Sequence, residues 1–151
     1  MLFRSAMAAS ASLQIPLTHR DLSRSVTFLS GHRAGDGGAE FDQVDFSALA
    51  NARATLAVYM AVSTSGALAT MLLDAGWSPA TPVIAVEQAS HANERRVATT
   101  LDVLAATPER LGLTKAAVLI VGEVASLDPA GAVTRIAAEA STRAGKEVAH
   151  V

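Results

Sequence analysis

A chain of 151 residues suits one domain with a core of its own, since domains run to roughly 100 to 200 residues. Half of the residues are hydrophobic, 17% are charged and the mean hydropathy is +0.32, which excludes a disordered tail and describes a well-buried domain or half of something larger. Twelve Lys and Arg against fourteen Asp and Glu leave a net charge of −2 with no dense basic cluster, so no nucleic-acid partner is expected. The absence of cysteine excludes disulfides, thiolate metal sites and Cys nucleophiles, and the four His are too scattered to suggest a metal site.

Phe3 to Leu13, Ala-rich and without Gly or Pro, reads as a helix, and Pro16 forces the chain out of it. The first twenty residues carry Arg4 and Arg20 and no acid, a faint likeness to a leader peptide, but their Ala and Ser content favours the helix. Ser25 to Leu29 reads as a short strand leading to Gly31, followed by a charged, glycine-containing loop from Arg33 to Glu40 that buries no core and is expected to be mobile. A short helical stretch near Phe46 to Leu49 precedes the strand Thr55 to Met60. Ala54 to Leu73 carries no charge and is long enough to raise a membrane span, but Ser63 to Gly66 interrupts it with cap chemistry. Strand, cap and helix over Thr64 to Ala75 is the reading, with no membrane partner.

Pro82 to Glu87 repeats the buried-strand pattern, and Arg95 to Thr99 reads as another strand. Leu101 to Leu111 is helical with Pro108 as a break, Ala116 to Val121 is the most regular strand, and Ala130 to Arg143 is expected to form a last amphipathic helix. Apolar strands alternating with helices predict an α/β fold: a single mixed sheet of about five strands with helices on both faces.

No GxGxxG, GxxxxGK[ST], GxSxG or HExxH string occurs. The informative strings are local: Ile15-Pro16-Leu17-Thr18-His19-Arg20-Asp21, Ser30-Gly31-His32, Tyr59-Met60, Pro82-Val83 to Val86-Glu87, Arg95-Arg96-Val97, and Ala117 to Val124. In this order and spacing, from about residue 3 to residue 127, they resemble the C-terminal half of the uroporphyrinogen-III C-methyltransferase family, which serves sirohaem and cobalamin synthesis.

That resemblance implies the second domain of a two-domain class III tetrapyrrole methylase, with residues 1–15 as the last helix of the first domain and 16–151 as the second. It implies S-adenosylmethionine as cosubstrate in the cleft between domains, a tetrapyrrole substrate, a missing N-terminal methylase domain as partner, and a cytoplasmic homodimer. By resemblance, Arg4, Ser5, Met60, Ala89 and Ala117 are cofactor-binding, and His32, His19 and Arg20 substrate-binding. Without it, His32 is an exposed loop residue, and His19-Arg20-Asp21 could equally form a local bond that fixes a turn. Glu87 and Glu123 end apolar strands and are read as structural; Tyr59 and Trp77 are read as packing residues.

The sequence departs from the family at three ligand-contact positions. A Thr-Ala pair is replaced by Arg4-Ser5, an Asn-Gly-Thr turn by Gln88-Ala89-Ser90, and the Gly after Tyr-Met by Ala61. Lost glycines are expected to remove access to positive φ or to add a Cβ where a ligand approaches. Two readings follow: part of an S-adenosylmethionine-dependent methyltransferase that is inactive alone, or a non-catalytic module of the same fold serving dimerisation or ligand binding.

Overall fold

The computed structural model describes residues 2–31, 41–127 and 134–136. Helix α1 (Leu2–Leu13) buries Ala6, Ala9 and Leu13, positions that fall on one face of a helix. It stops at Gln14, which adopts φ 56°, and Pro16 holds the preceding Ile15 out of the helical region. Strand β1 (Val26–Ser30), helix α2 (Phe46–Asn51) and strand β2 (Thr55–Tyr59) follow. Helix α3 (Ser65–Asp74) buries Leu68, Ala69 and Leu72, and gives way at Gly76.

Strands β3 (Pro82–Glu87) and β4 (Arg95–Thr100) form an antiparallel pair, and helix α4 (Leu101–Ala106) begins directly where β4 ends. A 3-10 turn over Pro108–Leu111 replaces the rest of the expected helix, because Pro108 supplies no N–H to an α ladder. Strand β5 (Ala117–Val121) and a 3-10 turn (Glu123–Ser126) complete the core, and a two-residue strand β6 (Thr134–Arg135) lies at the edge.

The sheet runs β1-β2-β5-β3-β4-β6, with the two outer pairs parallel and the three inner pairs antiparallel. It is a mixed sheet of six strands rather than about five. Alternation along the central strands separates two cores. Leu56, Val58, Val83, Ala85, Leu119 and Val121 face α2, α3 and α4; Ala57, Tyr59, Ile84, Val86, Val118 and Ile120 face α1. Helices therefore cover both faces, and the uninterrupted apolar strands follow from that double burial.

The expected helix over Ala130 to Arg143 is corrected where the structure describes it. Thr134 and Arg135 pair in parallel with Val97 and Ala98, and the Ile136 N–H donates to the Ala98 carbonyl at 2.8 Å. Backbone bonds to the open edge of β4 hold these residues extended, with Ile136 packed against the core on the α2–α4 side. The rest of that segment, the loop from Arg33 to Glu40 and His32 lie outside the described residues. No helix among the described residues is long and apolar enough to cross a membrane.

Candidate functional site

Strands β2 and β3 end, and β5 begins, at the same margin of the sheet, because β5 runs antiparallel to both. A pocket of about 300 Å³ opens there, lined by Ser5, Tyr59, Met60, Val86, Gln88, Ala89, His91, Ala116, Ala117 and Val118. Four of the five residues singled out for a cofactor, Ser5, Met60, Ala89 and Ala117, meet in it. Arg4 is the neighbour of Ser5 on the exposed start of α1 and is not part of the lining.

The pocket owes its shape to unusual backbone. Met60, Gln88 and Ser90 adopt φ of 51°, 53° and 68° without being glycine. Such residues persist only where the surroundings hold them, and they gather at functional sites. The Gln88 N–H donates to the Ala116 carbonyl at 3.1 Å, the His91 N–H to the Gln88 carbonyl at 3.0 Å, and the Ser90 N–H to Glu94 Oε2 at 2.7 Å. Met60 follows the last residue of β2 and is 41% exposed, lining the pocket.

Neither Ala61 nor Ala89 has positive φ; the left-handed residues are their neighbours. Ala61 is fully buried and packs on Gly31, where an added Cβ would stand 2.8 Å from the Ala61 Cα. Gly31 is thus required by close approach: its N–H donates to the Tyr59 carbonyl at 2.6 Å and its carbonyl accepts from the Thr64 hydroxyl at 2.9 Å. Ala89 is itself one of the lining residues.

His19 and Arg20 stand elsewhere. With Thr18, Ser23 and Arg24 they line a separate hollow of about 300 Å³. The Ser23 hydroxyl accepts from Thr55, the first residue of β2, at 2.9 Å, so this turn lies at the opposite end of that strand from Met60. The Asp21 N–H donates to His19 Nδ1 at 3.2 Å, a local bond that ties the turn. Trp77 is buried, and its indole N–H donates to the Phe46 carbonyl at 2.9 Å.

Glu87 is 3% exposed, yet fully partnered. Its Oε1 accepts the N–H groups of Thr114 (2.7 Å) and Lys115 (2.6 Å), and its Oε2 pairs with Arg95 at 3.3 Å. Burial pushes the carboxyl up, but those two N–H groups and the Arg95 and Lys115 charges outweigh it and hold the group below its ordinary 4.5. Glu123 is exposed. Neither carboxylate is arranged for proton transfer. Tyr59 faces α1, stacks on Phe28 with ring centres 6.4 Å apart, and has its hydroxyl near the Ala6 backbone but outside hydrogen-bonding geometry. Burial raises its phenol above the ordinary 10.0.

A larger hollow of about 760 Å³ lies beside His91, Glu94, Arg95, Arg96 and Arg110. Its cationic lining is largely engaged: Arg95 reaches Glu87 and the carbonyls of Leu111 and Gly112, and Arg96 holds Glu94 at 2.6 Å. The smaller pocket is the better candidate, having apolar walls and exposed polar groups at strand ends. Sequence reasoning placed Gln88 in a ligand-contact turn without assigning it a role, and missed His91 and Ala116 as lining residues. Among the described residues no cluster of His, Asp or Glu could hold a metal ion.

Residues 4–105 match the family described as Tetrapyrrole (Corrin/Porphyrin) Methylases. A sirohaem synthase of Chromobacterium violaceum is 42% identical over 123 residues, covering 82% of this chain and 25% of that protein. A uroporphyrinogen-III C-methyltransferase of Paracoccus denitrificans is 37% identical over 122 residues, covering 81% of this chain and 42% of its own length. Among solved structures, the uroporphyrin-III C-methyltransferase of Thermus thermophilus complexed with S-adenosylhomocysteine superposes with a TM-score of 0.63 at 31% identity. That match covers 78% of this chain and 47% of the other. The chain therefore spans about a quarter to two-fifths of the length of these curated relatives.

Proposed function

Because this chain belongs to the tetrapyrrole methylase family, we propose that it forms one wall of the S-adenosylmethionine cleft of a uroporphyrinogen-III C-methyltransferase, which converts uroporphyrinogen III to precorrin-2. The observation that carries this reading is the meeting of Ser5, Met60, Ala89 and Ala117 in one pocket. S-adenosylmethionine supplies the methyl group, as a sulfonium, when bound. Met60 offers a polarizable apolar surface, the Ser5 hydroxyl and Gln88 amide offer hydrogen bonds, and the backbone at Ala89 and Ala117 forms the floor. Arg4 stands at the rim.

Methyl transfer to a carbon rests mainly on alignment and exclusion of water, which suits a site without a free carboxylate. His32 is the residue we assign to the tetrapyrrole, because Gly31 before it is bonded to Tyr59 beside the pocket. His19 and Arg20 are assigned to the turn they tie, one strand length away. The remaining wall belongs to a first methylase domain, and the family homodimer is part of the same reading. A second reading, a non-catalytic module, is favoured by one observation: Ala89 lines the pocket at a position where the resemblance implies glycine.

Calorimetric titration with S-adenosylhomocysteine separates the two. The expected result is weak binding to the chain alone and affinity about 5-fold to 150-fold higher when the separately produced first domain of a family member is added, corresponding to two restored hydrogen bonds. No heat of binding in either arrangement would leave the non-catalytic module standing.

A further inference from the structure

We propose that Glu87 is a positioning residue that sets the width of the pocket from the opposite face of the sheet, without touching what binds there. The proposal rests on the cofactor reading only for the identity of the occupant. Along β3, Val83 and Ala85 face the α2–α4 layer and Ile84 and Val86 face α1; Glu87 shares the side of Val83 and Ala85, and the pocket takes Val86. Its carboxylate is not among the lining groups.

It reaches the pocket through backbone. One oxygen, Oε1, takes the N–H groups of Thr114 and Lys115, and the residues that follow at once, Ala116 to Val118, are one wall. The residue after Glu87 is Gln88, whose N–H is bound by the Ala116 carbonyl and whose left-handed turn carries the facing wall through Ala89 to His91. The second oxygen pairs with Arg95, whose guanidinium also donates to the Leu111 and Gly112 carbonyls at 3.2 and 2.7 Å. The end of β3, the start of β4 and the loop entering β5 therefore converge on one buried carboxylate. Without it, two N–H donors and a guanidinium lose their shared acceptor, and the 111–115 segment keeps to the Gln88 turn an exposed bond from Lys115 Nζ to Gln88 Oε1 at 3.4 Å.

Three variants of the full chain test this: Glu87→Ala, Glu87→Gln, and Val103→Ala as a control in α4, buried and remote from the pocket. Each is titrated with S-adenosylhomocysteine, with the first domain of a family member added, and amide exchange is followed by mass spectrometry. Glu87→Ala is expected to weaken binding about tenfold and to raise exchange at 114–118 and 88–91 together. Glu87→Gln keeps one oxygen for the two N–H groups and should recover binding to within about threefold, which a general loss of stability would not do. Val103→Ala should leave affinity unchanged while lowering stability. Wild-type affinity in Glu87→Ala, or equal losses in Val103→Ala, overturns the proposal. If the wild-type protein binds no S-adenosylhomocysteine, the cofactor reading fails and exchange decides: joint exposure of both walls upholds the positioning role, and exposure confined to Thr114 and Lys115 overturns it.

Discussion

Left-handed backbone at a residue with a side chain costs about 1–3 kcal/mol, and this chain accepts it at Met60 and Gln88 in the pocket and at Ser90 beside it. The holding groups are specific, and two of them are carboxylates. Glu94 takes the Ser90 N–H and the Arg96 guanidinium; burial raises its carboxyl, but those bonds hold it below 4.5, as Glu87 is held below 4.5 by its own partners. A carboxyl whose folded pKa lies below its unfolded value contributes stability that is fully present above the unfolded value. That contribution disappears as pH falls through the folded value. Glu87→Gln should therefore be less stable than the wild type at neutral pH, and the gap should narrow as pH drops below 4.5. Urea unfolding at a series of pH values measures it. A gap that stays constant across that range would show that the charge of Glu87 does not carry the stabilisation.

At the scale of elements, what the sequence made legible was whatever had two covered faces. Thr55–Tyr59, Pro82–Glu87 and Ala117–Val121 are buried almost throughout and stand within a residue of where their apolar runs predict them. The edge was not legible. Thr134–Arg135 has exposed side chains and exists through bonds to β4, so no apolar period marks it. The pocket was half legible: the residues came from the family strings, whereas the turn that shapes it depends on long-range bonds such as Gln88 to Ala116. Helix α2 combines a local signal with long-range support, the Trp77 indole bonding the Phe46 carbonyl. Six residues cannot sustain a helix alone, and the Asp45 carboxylate accepts the Ala48 N–H at 2.9 Å at its start. Asp45→Ala should cost about 1 kcal/mol of stability in urea unfolding. A loss below a few tenths would show that the packing of Phe46, not the cap, holds the helix.

For the whole molecule the decisive quantity is how much of a ligand one wall can cover. Binding pockets for molecules of drug size run to about 300–1,000 Å³ and bury most of the ligand; at about 300 Å³ the pocket at the β2 and β3 ends reaches only the lower limit. The proposed occupant, S-adenosylmethionine, joins a nucleoside to an amino acid, so a large part of it would face water in this pocket. A methyl group so held is free to turn away from its acceptor, and losing orientation removes the effective concentration that drives transfer between two bound partners. The purified chain alone should therefore convert no measurable uroporphyrinogen III to methylated product, whereas mixing it with the first domain of a family member should restore turnover. The assay compares both with an intact family enzyme, following methylated product over time. Turnover by the chain alone at the rate of the intact enzyme would overturn this, because it would require a second copy of the chain to supply the missing wall.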